Sequence, residues 1–270
     1  MANATVRWDG RDIAIEYAFT GGESGPLVIF LHDGLGSVSA WGEFPARLCK
    51  AAGCRGIVYS RPGYGQSTPR ADSERWEPDF MHRQAHEVLP ALLATLGIDP
   101  ARSKPWLFGH SDGGSIALLF AARFPDSVSG LIVVAPHIRV EPVSTASIED
   151  IRSNYNRSGL RARLARHHAD PDSAFYGWND AWCNPAFRDW SIEEELKSLR
   201  CPVLAIQGTN DEYGTLEQIH GIARRSPWTR LLELAGCGHA PYRERPEIVL
   251  SESARFMRHV RVTTGRTKTR

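Results

Sequence analysis

The sequence predicts an α/β fold: a mostly parallel sheet with helices on both faces and one helical insertion. Short continuous apolar runs alternate with longer amphipathic stretches. That is the pattern of strands buried on both faces and joined by crossover helices. The alternation stops over one stretch, 137–199, which carries no buried-strand run. A chain of 270 residues, 42% hydrophobic and 23% charged, has enough apolar residue for one such domain with an insertion.

In order along the chain, RDIAIEYAFT alternates apolar and polar residues and reads as a half-buried edge strand. PLVIFLH (26–32), CRGIVYS (54–60), KPWLFGH (104–110), SGLIVVAP (129–136), CPVLAIQG (201–208) and RLLELAG (230–236) read as the sheet. Helical patterns lie at 39–53, 81–97, 115–125, 214–227 and 247–260. The stretch 137–199 combines arginine-rich amphipathic pieces with the aromatic run SAFYGWNDAWCNPAFRDW, and reads as helix punctuated by Pro171 and Pro185. This divides the chain into a core (1–136 and 200–262), a helical insertion (137–199) and a basic, flexible tail (263–270).

A net charge of +1 and a pI near 7.8 give no footprint for nucleic acid. The start, MANATVRWDGRDIAIEY, lacks the apolar segment of a signal peptide, and no run has the length of a membrane span. Five scattered cysteines without CxxC spacing read as free thiols. The expectation is a cytoplasmic protein with a small-molecule partner, no membrane or nucleic-acid partner and no metal or cofactor; a homodimer is left open.

The chemistry starts at LFGHSDGGSIAL (107–118). Gly109-His110-Ser111-Asp112-Gly113 matches G-x-S-x-G, and a buried strand precedes it and a helix follows, as a nucleophile elbow requires. The turn projects the Ser111 oxygen at the helix N-terminus, where the dipole favours developing negative charge. Serine needs a base. Of ten histidines, His82 and His86 read as surface residues at helical spacing, and His167 and His168 as solvent-facing. His239 stands apart, in GCGHAPYRERPE after the strand RLLELAG, at the same sheet edge as Ser111. Asp211 in GTNDEYGT, also at a strand end, is the orienting carboxylate, with Glu212 ranked second. The order Ser…Asp…His is one of the known triad orders. An oxyanion hole takes the backbone N–H of Asp112 and, from the loop HDGLGS, that of Gly34.

With LHDGLGS, YSRPGYGQS, GHSDGG, QGTNDEYGT and GCGHAPYRERPE in place, the chain resembles the α/β-hydrolase fold family, in particular the small capped bacterial esterases, lactonases and meta-cleavage-product hydrolases. The resemblance implies that 137–199 is a cap over the site and that Ser111, Asp211 and His239 are the triad. It implies a serine hydrolase of carboxylic esters or lactones; hydrolysis of a C–C bond in a diketone-type substrate and non-catalytic ligand binding are the competing readings. The chain departs from the family pattern at Asp33, Arg61 and Asp112. A carboxylate at Asp112 opposes an oxyanion unless it turns away. His137 and the aromatics Phe175, Tyr176, Trp178, Trp182 and Trp190 are expected to bind substrate, suggesting an apolar or aromatic one.

Overall fold

The apolar runs are the strands. The computed structural model describes residues 1–71 and 73–267 of the chain. Among the described residues one sheet holds β1 (Ala2–Trp8), β2 (Arg11–Gly21), β3 (Leu27–Leu31), β4 (Arg55–Tyr59), β5 (Trp106–His110), β6 (Gly130–Val134), β7 (Val203–Gly208) and β8 (Thr229–Leu234). Their order is β1-β2-β4-β3-β5-β6-β7-β8. The pairings β1–β2 and β2–β4 are antiparallel, and all the others are parallel. β2 is therefore not the edge expected from RDIAIEYAFT, since β1 covers it. Side-chain alternation reports which faces of a strand are buried, not whether its flanks are hydrogen-bonded, so it cannot distinguish an edge from a flanked strand.

Helices follow in chain order as α1 (Phe44–Ala52), α2 (Phe80–Arg83), α3 (Leu89–Thr95), α4 (Pro100–Ser103), α5 (Asp112–Arg123), α6 (Pro142–Asn154), α7 (Leu160–Leu164), α8 (Pro171–Trp182), α9 (Glu217–Arg225), α10 (Pro241–Glu244) and α11 (Pro246–Thr267). A π-helical turn, Gln84–Val88, joins α2 to α3. Successive residues of the central strands feed opposite cores. Val28, Phe30, Phe108, Ile132, Val134, Leu204 and Ile206 pack with α1 and α11. Ile29, Leu31, Leu107, Leu131, Val133, Val203 and Ala205 pack with α3, α5 and α9. This period of two, apolar on both sides, is what makes each central strand a continuous apolar run.

Between β6 and β7 lie α6, α7 and α8, followed by short 3-10 turns at Pro185–Phe187 and Glu195–Ser198. Pro171 and Pro185 open elements there rather than interrupt them. Asp170 caps α8 by accepting from the N–H groups of Asp172 and Ser173. At the C-terminus α11 continues to Thr267, so the tail expected from residue 263 is helical as far as that residue; 268–270 lie outside the described residues.

β3 and β5 are neighbours, but the helices that follow them, α1 and α5, go to opposite faces of the sheet. Their loops part and leave a crevice at the C-terminal edge, the place where open α/β sheets bind ligands. The turn from β5 into α5 passes close to β3. A Cβ on Gly113 would stand 2.1 Å from the Leu31 carbonyl oxygen, and one on Gly109 would stand 2.2 Å from the Gly113 oxygen. Gly113→Ala is expected to cost about 2–3 kcal/mol through this backbone collision. It should lower Tm by several degrees in a thermal melt; an unchanged Tm would show that the elbow relaxes freely.

Candidate active site

Ser111 closes the turn at φ 54° and ψ −122°, a left-handed conformation that a non-glycine residue adopts only under constraint. The Ser111 N–H donates to the Val134 carbonyl, and its own carbonyl accepts from Gly114 and Ser115. The serine is thus held at both ends while its side chain is presented above the sheet.

His239 reaches Ser111 from the loop after β8. Its Nε2 lies 3.0 Å from the Ser111 Oγ, and its Nδ1 lies 2.8 Å from Asp211 Oδ1. The loop is anchored by His110, whose Nε2–H donates to the His239 carbonyl at 2.8 Å. Asp211 is itself oriented. The Tyr213 N–H donates to Oδ1 at 2.9 Å, and the Gln207 amide donates to Oδ2 at 3.1 Å. Burial pushes the Asp211 carboxyl up, but the hydrogen bond and charge of His239 outweigh it and hold the group below its ordinary range. Burial likewise lowers His239, and Asp211 more than reverses this, leaving the imidazole above the ordinary histidine value. Glu212, ranked second for this role, instead accepts from the His239 backbone N–H at 3.2 Å.

Asp112 and Gly34 line the same space beside Ser111, and neither backbone N–H makes a hydrogen bond among the described residues. The carboxylate of Asp112 turns aside. It is fully buried, with Oδ2 3.4 and 3.5 Å from the Arg61 guanidinium and Oδ1 accepting from Trp182 Nε1 at 3.2 Å. Burial pushes this carboxyl up, against the opposing pull of Arg61. Arg61 is equally buried, donates to the Asp33 carbonyl at 2.8 Å and lies over the Tyr64 ring. The two departures from the family pattern at Arg61 and Asp112 are therefore partners in one ion pair.

A cavity of about 110 Å³ opens beside Ser111. His137, Trp178 and Trp182 line it, together with Leu35, Ile148, Ile151 and Tyr213. Three expected substrate contacts are absent from the wall. Phe175 is fully buried and stacks on Tyr155 with centroids 3.7 Å apart. Tyr176 packs outside it under Arg152, and Trp190 stacks on Phe187. On α8, Trp178, Trp182 and Phe175 share one face, but Phe175 lies about two turns from Trp182 and is taken up by the Tyr155 ring, whereas Tyr176 sits at another angle. Ile148 and Ile151, a turn apart on α6, carried no signal beyond amphipathic spacing. His168, read as solvent-facing, is 3% exposed. It accepts from the Gly65 N–H at 2.9 Å and donates to the Leu35 carbonyl at 3.0 Å, tying the segment after α7 to the loops around the site. His82 and His86 are half-buried, their rings 5.8 Å apart.

A family model described as "Alpha/beta hydrolase family" matches residues 28–252, which include every residue of this site. The chain belongs to that family. The hydrolase is 26% identical over 257 residues to the dihydrolipoyllysine-residue acetyltransferase component of the acetoin cleaving system of Pseudomonas putida, covering 88% of this chain and 65% of that protein. The matched part is thus just under two thirds of that relative's length. It is 28% identical over 245 residues to monoglyceride lipase of Homo sapiens, covering 83% of this chain and 78% of the lipase. Its fold superposes on a thermophilic esterase of Thermogutta terrifontis with a TM-score of 0.73 at 21% identity, covering 96% and 98% of the two chains. No helix among the described residues of the hydrolase is long and apolar enough to cross a membrane.

Arg61→Met would leave the Asp112 carboxylate buried without its countercharge, at a cost of about 3–5 kcal/mol. Without Arg61 the folded-state pKa of Asp112 rises further, so the loss should be smaller at pH 5 than at pH 8. Denaturant unfolding at both pH values checks this. The double variant Arg61→Met/Asp112→Leu should recover much of the stability.

Proposed function

We propose that the hydrolase cleaves carboxylic esters or lactones of short acyl chain through a Ser111–His239–Asp211 triad, with 137–199 as the cap over its pocket. The observation that carries this reading is the hydrogen-bonded row from the Ser111 Oγ through His239 to Asp211, opening onto a cavity that Asp112 and Gly34 also line. His239 Nε2 takes the Ser111 proton as Oγ attacks the substrate carbonyl, and the imidazolium is stabilised by Asp211. The oxyanion is met by the N–H groups of Asp112 and Gly34. Collapse expels the alcohol, which takes its proton from His239. Water, deprotonated by the same imidazole, then attacks the acyl-enzyme, and Ser111 leaves with the proton as the acid departs.

The cavity limits the acyl group. An apolar space of roughly 150 Å³ is filled by benzene, so 110 Å³ bounded by Ile148, Ile151 and two indoles suits a short chain. The expected order is p-nitrophenyl acetate and butyrate turned over at least tenfold faster than the octanoate. Turnover of a vinylogous diketone with none of the esters would overturn the ester assignment. Ser111→Ala is expected to abolish both ester hydrolysis and labelling by a fluorophosphonate, with Tm nearly unchanged. Wild-type protein that a fluorophosphonate leaves unlabelled would overturn the triad.

The pH profile follows from the direction of the His239 shift. The base must be neutral, so kcat/KM should rise with pH through a limb lying above the ordinary histidine value of 6.5. Asp211→Asn should move the limb to lower pH and reduce kcat by on the order of 10⁴. An unmoved limb would separate Asp211 from the base.

A further inference from the structure

Both residues that offer backbone N–H groups to the oxyanion are touched by an indole from α8. Trp182 donates its Nε1–H to the Asp112 carboxylate. Trp178, one turn earlier on the same helix face, lies against Gly34. A Cβ on Gly34 would stand 2.2 Å from Trp178 Nε1 and 2.4 Å from its Cδ1. The indole nitrogen is thus within about 3.7 Å of the Gly34 Cα, allowing one carbon–carbon bond. The two indole donors differ in one respect. Trp182 is committed to Asp112, whereas Trp178 Nε1–H makes no hydrogen bond among the described residues and stays open rather than sealed in protein. Trp178 itself is only 6% exposed. An indole N–H can only donate, so the one on this wall is free to meet an acceptor oxygen that enters the cavity.

We infer that Trp178 is a catalytic residue: its Nε1–H is a third donor to the oxyanion, delivered by α8 beside the N–H groups of Gly34 and Asp112. The Trp182–Asp112 hydrogen bond is the latch that sets the helix at this height. Residue 34 must be glycine under this arrangement, because a Cβ would occupy the place of the indole nitrogen. The device joins the cap to the chemistry. Lifting α8 would remove the third donor and unpair Asp112 in one motion, so the oxyanion site is complete only with the cap down. The inference rests on the hydrolytic reading of the Ser111 site.

The test replaces Trp178 with β-(3-benzothienyl)alanine, which keeps the shape and removes only the N–H; Trp178→Phe is the encodable companion. Expected is a 10- to 100-fold fall in kcat on p-nitrophenyl acetate with KM changed less than threefold. A trifluoromethyl ketone that forms an oxyanion on Ser111 should bind weaker by the same factor, and acetate, the product, should bind unchanged. A variant with unchanged kcat and unchanged trifluoromethyl ketone binding overturns the assignment. So does a rise in KM alone, which would make the indole a contact of the ground state. Wild-type protein without turnover or fluorophosphonate labelling would instead bring down the hydrolytic reading, and this inference with it.

Discussion

A carboxylate at zero exposure, one residue after Ser111, is the constraint around which this site is built. Left alone beside a developing oxyanion, Asp112 would oppose catalysis and would itself be expensive to bury. Arg61 supplies the countercharge and Trp182 the remaining hydrogen bond. These three residues come from the loop after β4, the elbow and α8. Arg61 also holds the Asp33 carbonyl, so the loop that carries Gly34 is fixed by the same guanidinium. One ion pair thus ties together the elbow, the loop after β3 and the insertion.

Uncharged imidazoles do the rest of the fastening. His32 donates from Nδ1 to the Asp33 carbonyl and accepts the Arg61 N–H at Nε2, an arrangement open only to the neutral ring. Burial, with Arg61 nearby, holds its pKa well below the ordinary value. His168 bridges Gly65 and Leu35 in the same donor–acceptor sense, and burial lowers it too. His137 is pushed to about 3, chiefly by burial, and faces the cavity as a neutral group. His239 alone of these four moves upward, because it has the Asp211 carboxylate as a hydrogen-bonded partner. The environment, not the residue type, separates His239 from the other three.

Much of this was legible in one dimension. Ser111, Asp211 and Gly34 each follow a buried run and His239 follows the partly exposed edge strand β8, and in a parallel sheet such loops share one edge. The aromatic run of α8 was legible only as a set. Trp178 and Trp182 reach the cavity while Phe175, on nearly the same face but earlier in the helix, and Tyr176, on another face, do not, because the part of α8 that meets the site depends on how the insertion docks. His168 gave no sign of burial, since its partners Gly65 and Leu35 are backbone groups more than a hundred residues away. The flank of β2 was misread for a related reason: burial periodicity says nothing about which strand lies alongside.

The sequence by itself determined the layered sheet, the place of the insertion and the serine, acid and histidine at one edge, because strand periodicity and strand-end position are local properties of the chain. Only the tertiary structure decided where the Asp112 carboxylate goes, which indoles face Ser111 and which histidines stay neutral. Those outcomes depend on charge compensation and on hydrogen bonds between loops far apart in sequence. No local pattern encodes them.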